Sequence, residues 1–248
     1  MANKQRIRGV RWQIGRFGVL LGLTFAICAS AGWVFEIEPF SIEPASPRAS
    51  VDLPQDIVDY LRPEGSLLFT RANGLKMPIC EVFWVKAAVT RDSPPGPGQP
   101  SYRALKPGAL VGVIHFLPDA SEDYREDFHD QKLRPGYYSM RYAVMPDGDT
   151  VDTLLLSPLN ADHDPGRVLD PEELVHFSRK ASRTKQPAVM SLVPVDLRGN
   201  DFPDIKTDGD GTWTLQVKLR LTSSKGDSGH DLAVAVVLVT PKKLEEGS

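Results

Sequence analysis

Disulfide bonding has almost nothing to work with in this chain. Two cysteines occur in 248 residues, and Cys28 lies inside an apolar run. Cys80 is then the one cysteine of the body, so an intramolecular disulfide framework is excluded. Its apolar strand-like surroundings predict a buried small hydrophobe, not a reactive thiol. The signatures of catalysis are missing too. No G-x-G-x-x-G or G-x-x-x-x-G-K is present to cradle phosphates, and no G-x-S-x-G elbow to raise a nucleophilic serine. C-x-x-C, H-E-x-x-H and C-x-x-C-H are all absent, which removes the usual zinc, thiol-redox and haem-attachment patterns. Cys80, His115, Met140 and Met145 are copper-type donors, but no second histidine has the close spacing to cysteine that blue-copper sites use. No motif implies a cofactor.

Acidic residues are missing from the first 35 positions, the first being Glu36. The same stretch holds Lys4, Arg6, Arg8, Arg11 and Arg16, followed by the uncharged run FGVLLGLTFAICASAGWVF, Phe17 to Phe35. A basic segment before an apolar core is the pattern of an export signal, and its charges favour the cytoplasmic side. Two outcomes fit. Ala29-Ser30-Ala31 is an A-x-A site, so cleavage after Ala31 would release a soluble periplasmic or secreted body starting at Gly32. Trp33, Val34 and Phe35, however, carry the apolar character past that site. Nineteen residues of helix span roughly 28 Å, close to the hydrocarbon thickness. Trp33 would then sit at the outer interface. A retained single-pass anchor in the cytoplasmic membrane is the leading expectation. Gly18 and Gly22 form a G-x-x-x-G pair through which such a helix could join a membrane protein complex.

Beyond this segment the charge balance turns acidic. The body keeps 24 of the 29 basic residues against all 32 acidic ones, a net charge of −8. That argues against nucleic acid as a partner. It leaves a small-molecule ligand unidentified.

Four segments follow from composition: a basic cytoplasmic segment (1–16), the anchor or signal core (17–35), a proline-rich linker (36–50) and a β domain (51–245). Within 51–65, Pro54 and Gln55 could open a helical turn or two, with Ile57, Val58 and Leu61 on its apolar side. Short runs rich in β-branched and aromatic residues then recur at 66–70, 79–89, 109–117, 136–144, 154–159, 186–195, 212–222 and 230–240. In TWTLQVKLRL, Trp213, Leu215, Val217, Leu219 and Leu221 alternate with polar residues, as in a half-buried strand. One helix interrupts the series. Asp170 is its N-cap, Pro171 its first residue and Glu173 the capping-box partner, with Leu174, Phe177 and Ala181 facing a sheet. With 21 prolines and 20 glycines and no strand–helix alternation, the pattern predicts a mainly β, antiparallel sandwich, jelly-roll-like, with one short capped helix.

Candidate chemistry sits in polar loops. Asp147 and Asp149 in PDGDTVD, Asp208 and Asp210 in TDGDG, and Asn160, Asp162 and Asp164 in NADHDPG place hard oxygens two residues apart, as calcium prefers. Asp-Gly pairs are equally the residues of tight turns. DASEDYREDFHDQK (119–132) is the densest charged stretch; Glu122, Asp123, Glu126 and Asp127 could supply paired carboxylates for glycoside cleavage, or simply a solvated loop. The basic run RKASRTK (179–185) complements the helix dipole, with anion binding the alternative. Trp84, Trp213, Tyr137 and Tyr138 are the rings a carbohydrate platform would expose.

KLRPGYYSMRYAV, DTLLLSPLNADHDP and SRKASRTKQPAVMSL together resemble a family of uncharacterised exported bacterial β-sandwich proteins, along roughly residues 63–240. The resemblance implies a fold and a compartment. It implies no activity and carries over no site residue. The expected function is a non-catalytic, membrane-anchored extracytoplasmic accessory or binding subunit. The alternatives are an enzyme acting on polysaccharide or peptidoglycan and a secreted carbohydrate-binding module.

Overall fold

A computed structural model describes residues 40–49, 52–72, 75–127, 130–144, 152–195, 201–208, 212–222 and 230–239. The apolar run Phe17–Phe35 lies outside them. No helix among the described residues is long and apolar enough to cross a membrane.

The strands are β1 (Phe40–Ala45), β2 (Leu61–Ala72), β3 (Leu75–Val85), β4 (Ala88–Val89), β5 (Leu110–Phe116), β6 (Gly136–Val144), β7 (Asp152–Pro158), β8 (Ala188–Val193), β9 (Asp204–Thr207), β10 (Trp213–Thr222) and β11 (Asp231–Val239). The helices are α1 (Gln55–Tyr60) and α2 (Pro171–Ser182). All 11 strands belong to one sheet in the order β1-β2-β3-β5-β6-β7-β8-β11-β10-β4, with β9 paired to β10. Its pairs are antiparallel except β4 with β10. The mainly β, antiparallel expectation holds. The jelly-roll pairing does not, because most neighbours in the sheet are neighbours in sequence, which makes a meander and not a pair of Greek keys.

The two ends of the sheet approach each other, so the sandwich is nearly a closed barrel. Directly after β3 the chain crosses to pair β4 with β10. Arg62 of β2 donates Nη1 to Lys218 O of β10 at 2.8 Å. The Phe40 ring of β1 lies 4.9 Å from that of Trp213 in β10. Curling in this way removes exposed edges that would otherwise pair with other chains. Alternation then decides what lies inside. Cys80, Val82 and Trp84 of β3 and Ile114 and Phe116 of β5 belong to the main core. Glu81 and His115, one step off in register, take the outer face.

Two segments escape the composition reading. Phe40–Ala45 falls within the stretch expected as a linker, yet forms β1 on β2. Pro44 is compatible with that strand because β1 ends the order and needs no second partner. Asp204–Thr207, β9, extends β10 through Trp213↔Thr207. Along β10 the expected alternation appears from Val217 to Leu221, while Thr214 and Gln216 are buried as well. That is the half of the strand that β9 covers.

Helix α1 begins at Gln55 and buries Ile57 and Val58. Helix α2 begins as expected: Asp170 Oδ1 accepts from Glu173 N at 2.9 Å, with Pro171 in the first turn. Glu173 does not close a capping box. Its carboxylate instead takes Arg167 Nη2 at 2.6 Å. Leu174 and Ala181 are buried, and Phe177 is half-buried. They lay α2 on the outer face of β6–β8, where Leu174 joins Ala143, Leu155, Leu169 and Val189 in a second cluster.

Candidate functional site

The outer face under α2 carries the most polar group in the interior. Arg141, on β6, is 0% exposed. A guanidinium has five N–H donors, and burial demands an acceptor for each. Nε and Nη2 hold the two Asp162 oxygens at 2.6 and 2.8 Å. The Gly108, Arg167 and Asp164 carbonyls accept the rest at 2.9, 2.6 and 2.8 Å. Ser139 Oγ adds a bond to Asp162 Oδ2. The loop before β5 and the turn after β7 are thereby tied to one side chain. Gly108 is required at its place: φ is +83°, and a Cβ there would lie 1.9 Å from Leu169 O. Beside it, Tyr142 donates to Asp152 Oδ1 at 2.9 Å and Arg103 Nε to Asp152 Oδ2 at 2.8 Å. Burial first, then the Asp152 bond and charge, push the Tyr142 phenol up from its ordinary value. With every donor of Arg141 engaged, this network can hold loops but offers nothing to a substrate.

Two clefts lie along α2. Near its first turns is an apolar one of about 360 Å³, between Leu174 and Val175 on the helix and Ala143, Val144 and Leu155 on the sheet. At its C-terminal end is a larger one of about 650 Å³, more polar in its lining than the first and called the polar cleft below. Arg134 and Tyr137 enter it from the opening of β6, Asn160 and His163 from the turn after β7, Lys180 and Arg183 from the end of α2, and Asp52 from before α1. Gly136 at φ +139° makes the turn that brings Arg134 alongside Tyr137. Lys180 Nζ rests 4.9 Å from the Phe177 ring centre, and no carboxylate pairs with Arg134, Lys180 or Arg183 among the described residues. Behind the wall, Tyr137 stacks on His115 at 3.9 Å and 15°. His115 Nδ1 in turn lies 2.9 Å from Glu81 Oε2. This row crosses three strands through the pairs Glu81↔His115 and His115↔Tyr137, and it fixes the plane of the tyrosine.

The residues singled out from sequence disperse. Of the calcium candidates, Asp147, Asp149 and Asp210 fall outside the described residues. Asp208 closes a hairpin turn, its Oδ1 accepting from Thr212 N at 2.9 Å. In NADHDPG, Asp162 goes to Arg141, and Asp164 Oδ1 accepts from Gly166 N and Arg167 N at 3.0 and 3.2 Å. Both aspartates of that turn are engaged by the chain itself. No group of three or more His, Cys, Asp and Glu suited to a metal occurs among the described residues. In the acidic loop, Glu122 pairs with Lys132 at 2.9 Å. Asp127 accepts from Gln131 and, at 3.0 Å, from Val189 N. Cys80 and Met140 are core residues, away from His115 on the outer face. Burial pushes the Cys80 thiol up to about 12, so it is inert near neutrality. Trp84 is 3% exposed, Trp213 leans on Phe40, and Tyr138 is buried, so these rings form no exposed platform. Of the four, Tyr137, half-buried, and Tyr138, buried, line the polar cleft.

No family model, no curated protein and no solved structure matches the chain.

Proposed function

We propose that this is a non-catalytic envelope protein, anchored by Phe17–Phe35 in the cytoplasmic membrane with its β body on the outer side, acting as a binding or accessory subunit. The arginines ahead of the apolar run supply the orientation. The observation that carries the binding role is the polar cleft at the end of α2. It is open, it has the size of a ligand site, and Arg134, Lys180 and Arg183 face it with no carboxylate partner among the described residues. Arg141 and Asp152 in the interior are, by contrast, engaged by their own chain. The enzyme alternative drew on the acidic loop, whose Asp127 is engaged by its own chain. The apolar run, through Gly18 and Gly22, gives the subunit a route into a membrane protein complex.

Protease added to intact spheroplasts tests this reading. Digestion of the body, with the full-length chain in the membrane fraction, is the expected result. A body resistant until lysis would overturn the orientation. A soluble chain starting at Gly32 would replace the anchor with a cleaved signal.

A further inference from the structure

We infer that the polar cleft at the C-terminal end of α2 binds an acidic glycan, a sugar chain bearing carboxylate groups of the uronic-acid type. The inference rests on the binding-subunit reading above and adds the chemical class of the ligand.

Charge is the first reason. Arg134, Lys180 and Arg183 bring three permanent cations from two separated segments to one concavity, on a body of net charge −8. Such a concentration focuses the field on an anion.

The second reason is backbone conformation. Arg183 caps α2 in the left-handed region at φ 58° and ψ 19°, its N–H bonded to Arg179 O. Glycine is the usual residue there because a Cβ is strained in that conformation. An arginine keeps the strain and gains no ion pair within the described residues. Its side chain lines the cleft. A strained non-glycine cap whose side chain lines a cleft points to a role for that side chain in the cleft.

The third reason separates a sugar acid from a bare anion. Tyr137, stacked on His115, lines the cleft, and a tyrosine ring suits the C–H surface of a pyranose. Asp52 and Asn160 stand among the cations. Their oxygens can accept hydrogen bonds from the hydroxyl groups of a sugar, which a bare anion lacks. Cations for carboxylates, acceptors for hydroxyls and a ring for stacking together describe a uronate chain.

Calorimetric titration of the full-length chain in mild detergent tests the assignment, with trigalacturonate, neutral trigalactose, inorganic phosphate and hexaglutamate as probes. Trigalacturonate should bind at least about tenfold more tightly than the other three, and less tightly as salt is raised. Arg134→Gln and Arg183→Gly should each weaken it about 3- to 5-fold, while Arg183→Gly raises the melting temperature. Equal binding of phosphate would mean an adventitious anion site, and equal binding of hexaglutamate an acidic-peptide site. Either result overturns the proposal, as does absence of uronate binding or indifference to both substitutions. A uronate-binding body found inside the cytoplasm would sink the envelope reading and leave this assignment standing. A body outside the membrane that ignores uronate would do the reverse.

Discussion

Arg141 and Arg183 carry the same side chain into opposite circumstances. The first lies under α2, and all five of its N–H groups meet oxygens of its own chain. The second stands exposed at the end of the same helix, with a strained backbone and no carboxylate partner among the described residues. Buried charge must be satisfied by the fold or it destabilises the fold. Exposed charge carries no such demand and remains available to a ligand. The difference teaches where to look for function here: at the groups the fold leaves over, not at the densest polar network.

The sharpest break in that comparison is Arg141→Met, which strands Asp162 in the interior. A loss of about 3–5 kcal/mol in chemical denaturation is expected, whereas Arg141→Met/Asp162→Leu together should recover much of it. Equal stability of the single and double variants would show that the pair is not coupled. Gly108→Ala comes next. It forces a Cβ against Leu169 O at a positive φ and disturbs a carbonyl that Arg141 uses; about 1–3 kcal/mol should be lost. Tyr142→Phe removes one hydrogen bond to Asp152 and should cost about 1 kcal/mol at neutral pH.

Alkaline pH sharpens the same contrast. The folded-state values of Tyr142 and Cys80 are raised, chiefly by burial. Their stabilising contribution is therefore fully present below the unfolded values, about 10 for tyrosine and 8.5 for cysteine. It is lost as pH rises through the folded values, because the unfolded chain releases those protons first. Urea midpoints measured from pH 7 to 11 should fall at the alkaline end, and fall less in Tyr142→Phe. In a Cys28→Ala chain, Cys80 should stay unlabelled by a thiol reagent at pH 8 until urea unfolds the body. Prompt labelling would mean that this face of the core opens. The smallest effect is a gain: Arg183→Gly should stabilise by about 1 kcal/mol by relieving the left-handed strain.

Much of the sheet was legible because alternation and β-branched runs are local signals. The stretch 136–144 was read with the bounds that β6 has, and the Asp170 cap was visible as a tetrapeptide pattern. What escaped was not local. Phe40–Ala45 carries Pro44 and lies in a proline-rich stretch without periodicity that resembles a linker, and it is a strand because β2 offers it an edge. Asp162 looks like a cation ligand in its own turn, and nothing nearby in sequence announces that Arg141, 21 residues earlier, will claim it. The arginine in G-Y-Y-S-M-R-Y was read as part of a strand motif, which it is, but not as the pin of two loops. The polar cleft was half visible. The basic run 179–185 had anion binding as its second reading, yet only folding brings Lys180 and Arg183 to the side of Arg134 and Tyr137.

The central claim is that the fold holds Arg141 for itself and leaves Arg183 for a ligand. The most direct measurement is the shift in melting temperature on adding trigalacturonate, compared between the wild-type chain and Arg183→Gly. A larger ligand shift in the wild type, above a lower starting temperature than the variant, is the expected result. The same ligand shift in both chains would contradict it.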